Sequence, residues 1–196
     1  IKYGYRFDQK YENLLKSTLK IVDKVFAISQ DVKKELKILG YKGKIIDIPN
    51  TVDIKKIKKI KINNKFPKKI LRIITVARYY ESKKGLDLIE KVSKNLLDKK
   101  VNFIWTLVGR GSDKLKEKKF IKTHSNKFNI ISEISNKNET YFPNSKLIKI
   151  YKKNDIYVNL ARVESFGITI IEAIAAGLPV FTFNTSSVSK TFNITY

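Results

Sequence analysis

An α/β fold built on a doubly wound, parallel sheet is what this 196-residue sequence predicts. Three observations carry that expectation. Runs rich in Val, Ile and aromatic residues recur at intervals too long for hairpins. Each is followed by a stretch with one apolar face at helical spacing, and the links between them are short. Parallel strands need a crossover, and a helix is the usual one, so the alternation selects this architecture over an all-β or all-α one.

In chain order, Tyr11 to Leu19 has helical spacing and Val25 to Ser29 suits a short buried strand. Asp31 to Leu39 is an amphipathic helix, with Val32, Leu36 and Leu39 on one face, Ser29 as its N-cap and Gly40 as its stop. Lys44 to Ile48 is a second strand, closed by Pro49 and Asn50. The basic stretch Ile54 to Lys69 then separates two structural units, as a solvated linker or exposed helix. Beyond it the strands are Ile70 to Ala77, Val101 to Val108, Asn129 to Ile134, Asp155 to Leu160 and Leu178 to Phe183. Helices are expected over Leu86 to Leu97, Asp113 to about Lys127, Lys146 to Lys153 and Gly167 to Ala176, with a polar insertion at Asn136 to Asn144.

Composition narrows the function classes. Hydrophobic residues make up 42%, enough for a core, and no apolar stretch is long enough to cross a bilayer. The absence of cysteine removes disulfides, thiolate metal sites and cysteine nucleophiles, and fits a reducing, cytoplasmic setting. With His124 as the single histidine, no metal site is expected. There is no methionine and the sequence opens on Ile1, so the numbering is expected to start inside a longer protein. The formal charge of +23 is mostly lysine scattered through every segment, which suits solvated faces better than one nucleic-acid surface.

The candidate site lies at the carboxyl ends of the predicted strands, where doubly wound sheets bind ligands. Arg78 follows the first strand of the second unit, Lys84-Gly85 opens the next helix, Gly109 and Gly111 follow the second strand, and Glu164 to Gly167 follows the fourth. Two cations and the helix start at Gly167 suit a diphosphate. Glu172 stands in an otherwise apolar helix, where a carboxylate is costly unless paired, either by a ligand hydroxyl or by a neighbouring lysine or arginine.

Six stretches, in this order, resemble the GT-B glycosyltransferases, particularly the large retaining family four: VFAISQDVKKEL (Val25 to Leu36), IPNTVD (Ile48 to Asp53), ITVARYYESKKG (Ile74 to Gly85), LVGRGSDKL (Leu107 to Leu115), NDIYVNLAR (Asn154 to Arg162) and VESFGITIIEAIAAGLPV (Val163 to Val180). The sequence departs from the family pattern at Ala77, at Asn50-Thr51, in the Asn136 to Asn144 insertion and after Phe183.

The resemblance implies a Rossmann-like donor domain over residues 70–196, truncated at its end, a linker over 54–69, and over 1–53 the tail of the acceptor domain. It implies that Arg78 and Lys84 hold the donor diphosphate, that Glu172 accepts from the ribose hydroxyls, and that Glu164, the catalytic candidate, contacts sugar hydroxyls. Backbone amides around Phe166, Gly167 and Ile168 would reach the sugar or phosphate. Five residues from Gly167 to Glu172 advance about 7.5 Å along a helix, comparable with the separation of a diphosphate from its ribose. The implied partners are a nucleotide diphosphate sugar as co-substrate, without cofactor or metal, and a glycan or lipid-linked acceptor, with peripheral association at the inner face of a membrane allowed by the charge. The segment alone is expected to be inactive. Two other functions stay open: a basic nucleic-acid-binding module, and a sugar-nucleotide binder without turnover.

Overall fold

The computed structural model describes residues 9–62, 69–134 and 144–183. The chain divides into two compact units, one gathering residues up to Thr51 together with Val163–Gly167, the other holding Val52–Arg162 and Ile168–Phe183. The insertion expected at Asn136 to Asn144 lies, except for Asn144, outside the described residues, as does the chain after Phe183.

In the first unit, helix α1 (Gln9–Leu19) precedes strand β1 (Lys24–Ala27), and helix α2 (Gln30–Ile38) leads to strand β2 (Lys44–Asp47). The two strands pair in parallel, Val25 opposite Ile45. Leu19, Ala27, Leu36 and Tyr41 form the small core, flanked by Leu15, Val32 and Ile45. The predicted cap is present, with the Val32 amide donating to Ser29 Oγ at 3.3 Å. Lys33 Nζ reaches Asp47 at 2.6 Å and ties α2 to β2.

The second unit holds α3 (Ile54–Lys59), β3 (Leu71–Val76), α4 (Glu81–Lys84), α5 (Leu88–Asp98), β4 (Phe103–Val108), α6 (Lys119–Thr123), β5 (Phe128–Ile131), α7 (Ser145–Lys152), β6 (Ile156–Asn159), α8 (Ile168–Ala175) and β7 (Val180–Thr182). Five of these form one sheet in the order β5-β4-β3-β6-β7, and every pairing is parallel. The predicted fold class is therefore the observed one. Alternation along β3 divides its side chains between two layers. Ile73 joins Leu86, Ile89, Phe103, Trp105 and Leu107 in one core, and the fully buried Ile74 points to the other face, beside Tyr157 in register. Inside the sheet, Trp105 Nε1 donates to Thr75 Oγ1 at 3.1 Å, and the Thr75 hydroxyl donates to the Val158 carbonyl at 2.6 Å.

Strand order fixes where a ligand can enter. The β3–α5–β4 connection runs toward one edge of the sheet and β6–α8–β7 toward the other. Right-handed crossovers then place α5 and α8 on opposite faces. The carboxyl ends of β3 and β6 flank the point of reversal, which is the crevice such folds use for binding.

Two expectations change. The single helix read over Asp113 to Lys127 is broken into a 3-10 turn (Ser112–Glu117), α6 and a second 3-10 turn (Ser125–Lys127), with Lys118 extended between the first two. Leu115 and Ile121 are both buried in the core. Six residues apart on one α-helix they would point about 120° apart, so the break lets both face inward. The basic stretch after Thr51 is not wholly a solvated linker or exposed helix either: α3 forms there with Asp53 accepting from the Lys56 amide at 2.8 Å, and Ile57 is fully buried.

Candidate functional site

The β3 side of the crevice is built from backbone. Gly109, just past β4, approaches Ala77 so closely that a Cβ on it would lie 2.0 Å from the Ala77 carbonyl oxygen. The Ala77 amide donates to Val108 and the Tyr79 amide to Arg110, both at 2.8 Å. Arg78 sits between these bonds with its side chain exposed. Four residues of helix α4 follow, and Lys84, half-buried, ends it. Gly85 closes the helix in the left-handed region, φ 65°, and a Cβ there would meet the Leu160 carbonyl oxygen at 1.9 Å. Glycine is thus required twice over, by backbone conformation and by contact with the chain leaving β6.

Ionic contacts brace the same loop. Glu81 pairs with Lys118, and the Tyr79 hydroxyl donates to the other Glu81 oxygen at 3.2 Å. The Glu81 bond raises the Lys118 ammonium above its usual range, and desolvation with the Glu81 charge raises the Tyr79 phenol. Arg162, leaving β6, grips Asp87 through its two terminal guanidinium nitrogens, Nη1 and Nη2, at 2.7 and 2.6 Å. That pairing holds the Asp87 carboxyl below the usual carboxylate range.

On the face carrying α7 and α8 the chemistry is buried. Glu172 is 4% exposed and Tyr151 fully buried. The Tyr151 hydroxyl donates to Glu172 Oε2 at 2.9 Å and lies 3.3 Å from the Thr169 carbonyl. The Tyr157 hydroxyl donates to Thr169 Oγ1 at 2.7 Å, and the two tyrosine rings lie 5.9 Å apart. Desolvation pushes the Glu172 carboxyl up, against a smaller opposing effect of the Tyr151 bond, and pushes the Tyr151 phenol well up. The lysine or arginine considered as a partner for Glu172 is not what the structure provides. Its partner is a tyrosine, which α7 can bury without the cost of desolvating a cation.

The predicted residues divide between the two units. Arg78, Lys84, Ile168 and Glu172 belong to the second, with Ile168 exposed as the first residue of α8. Glu164, half-buried, Phe166, buried, and Gly167, at φ 88°, belong to the segment grouped with the first. Tyr151, Asp87 and Arg162 were not among the sequence candidates. Neither was Asn159, a buried amide at the end of β6 whose Oδ1 accepts from Ala161 and whose Nδ2 has no partner among the described residues.

A model of the family described as "Glycosyl transferases group 1" matches residues 56–194. The chain belongs to the group 1 glycosyltransferases. No curated protein sequence matches this glycosyltransferase chain. Among solved structures it is similar to TarM, with a TM-score of 0.72 and 18% identity over 98% of this chain and 37% of that one. It is also similar to sucrose-phosphate synthase from Thermosynechococcus elongatus, TM-score 0.69, 18% identity, 92% of this chain and 47% of that one. WaaG, described as a glycosyltransferase involved in lipopolysaccharide biosynthesis, gives a TM-score of 0.65 at 16% identity, over 86% of this chain and 46% of that one. The chain thus spans less than half the length of each of these three proteins. At such identities the likeness is one of fold, the GT-B arrangement with its Rossmann-like sheet.

Proposed function

We propose that this chain is the donor-binding part of a glycosyltransferase that moves a hexose from a nucleotide diphosphate sugar to a glycan or lipid-linked acceptor, with retention of configuration. The observation that carries the reading is the reversal point between β3 and β6, with Arg78 and Lys84 on the connection that follows β3, Lys84 as the last residue of α4. In this reading the bond from the anomeric carbon to the diphosphate oxygen breaks and its electron pair stays on that oxygen. The acceptor hydroxyl oxygen forms the new bond, and its proton ends on the departing diphosphate. Arg78 and Lys84 neutralise the charge that grows there, which requires no metal. Glu172 accepts from the ribose hydroxyls, Glu164 contacts the sugar, and amides from Phe166 to Ile168 meet sugar or phosphate.

The acceptor side and full turnover belong to the complete gene product, and residues 1–196 alone are inactive in this reading. It places the enzyme in the cytoplasm, with lysines able to hold it against an anionic membrane face. Among the described residues, no helix is long and apolar enough to cross a membrane. Calorimetric titration of the complete gene product with uridine, guanosine, adenosine, cytidine and thymidine diphosphates tests the proposal. One of them should bind, and Glu172→Ala, Arg78→Ala and Lys84→Ala should each weaken it. Absence of binding by all five overturns it.

One observation favours a different class. Helices α3 and α7 carry lysines and no acidic residue, and Lys152 Nζ joins them by donating to the Ile60 carbonyl at 2.6 Å. A basic nucleic-acid module predicts affinity for arbitrary DNA that falls steeply with salt. The same titrations with a DNA duplex at two salt concentrations separate the readings.

A further inference from the structure

We propose that Arg162 is a positioning residue for donor binding, acting through the turn that carries Lys84. The inference rests on the donor reading above and extends it to a residue that makes no ligand contact. The guanidinium of Arg162 is a planar fork whose two arms meet both oxygens of Asp87, and Nη1 also donates to the Ser82 carbonyl at 3.0 Å. Its own amide donates to the Lys83 carbonyl at 2.9 Å. One residue leaving β6 therefore holds α4 at Ser82 and Lys83 and holds the residue after Leu86 through a side chain. These three points surround Lys84-Gly85. At their centre Gly85 rests on the Leu160 carbonyl, with no room for a methyl group.

The arrangement converts two separate loops into one body. The turn after β3 is short and largely polar, and α4 has only 4 residues, too few to hold itself as a helix. A segment this short depends on outside braces to keep the backbone at Lys84 in one position. Arg162 supplies one of them from the chain leaving the neighbouring strand, in addition to the Glu81–Lys118 pair. Lysine could not do this equally well, since an ammonium lacks the fixed fork that engages two carboxylate oxygens at once. The depressed Asp87 carboxyl is in keeping with a pair that stays charged and engaged at neutral pH.

The test uses the complete gene product and the nucleoside diphosphate that binds it. Arg162→Ala should lower its affinity about tenfold, a loss of about 1.4 kcal/mol, while the melting temperature changes little. Arg162→Lys should recover only part of the loss, and Arg162→Asp combined with Asp87→Arg should recover more than either single change. The deciding measurement is Arg162→Ala in a Lys84→Ala background, where a residue acting through Lys84 has no further effect. Should Arg162→Ala fail to fold, Asp87→Asn carries the same comparison with a smaller expected loss. Unchanged affinity in Arg162→Ala, or an equal loss with and without Lys84, overturns the positioning role while leaving the donor reading intact. If Lys84→Ala itself binds as tightly as the unaltered protein, the assignment of Lys84 to the donor and the role of Arg162 fall together.

Discussion

The two flanks of the β3–β6 reversal point solve opposite problems. On the β3 side, charges stand at the surface and the backbone holds them: Gly85 and Gly109 let strands and turns touch, and exposed pairs such as Arg162–Asp87 add a brace. On the α7–α8 side, one carboxylate is sunk beside tyrosines and a side chain holds it, the Tyr151 hydroxyl, while Thr169 lies within hydrogen-bond reach of both tyrosine hydroxyls. An exposed cation such as Arg78 costs little to keep and, in the proposed reading, meets a diphosphate arriving from water. A buried carboxylate carries a standing desolvation cost, tolerable where a hydroxyl already donates to it.

The contrast is open to direct attack. The largest effect should come from Gly85→Val, which forces a β-branched residue into the left-handed region and against the Leu160 carbonyl. A loss of about 3 kcal/mol or more, or failure to fold, is expected in urea unfolding. Little change would mean that the turn is not tied to β6. Tyr151→Phe comes next. It leaves the buried Glu172 carboxylate without its hydroxyl donor, and about 1–3 kcal/mol should be lost at neutral pH. Most of that loss should vanish in acid, where a protonated Glu172 no longer needs the donor.

Glu172→Gln sharpens the same point from the other side. The folded protein binds the Glu172 proton more tightly than the unfolded chain does, because burial raises the carboxyl. Stability therefore falls as pH climbs from the ordinary carboxylate range through the raised folded value. Glutamine should remove that fall and stabilise the protein at neutral pH, while weakening nucleoside diphosphate binding by the complete gene product. Thermal melts from about pH 4, the ordinary carboxylate range, up to about pH 8 would show the flattened profile; an unchanged profile would place the Glu172 carboxyl in water. The smallest effect belongs to Glu81→Gln, which breaks a half-buried pair with Lys118 and should cost at most about 1 kcal/mol, less at high salt.

Strands were legible because a buried parallel sheet writes itself as runs such as VNFIWTLV, and the Ser29 cap was legible because capping is local. The broken helix after Gly111 was not, since its lysine-rich spacing is compatible with α-helix and only the joint burial of Leu115 and Ile121 decides against it. Arg78 stood out as a cation directly after a strand, and Lys84 as a cation before a glycine. The long-range pairs did not: Arg162 and Asp87 are 75 residues apart, and Tyr151 and Glu172 meet only because α7 and α8 pack on one face. The signal that was available for Tyr151 is its place on the apolar stripe of α7 with Leu147 and Ile148, where a phenol must find an acceptor.

Arg78 is fastened by the backbone on both sides, at Ala77 and at Tyr79, yet its side chain reaches into solvent. The arrangement is a fixed mount with a loose tip. An anion captured there has only side-chain rotamers to order, about 2 kcal/mol for an arginine, and no loop to fold around itself. Capture should accordingly be fast and limited by encounter, with affinity set by how quickly the anion leaves.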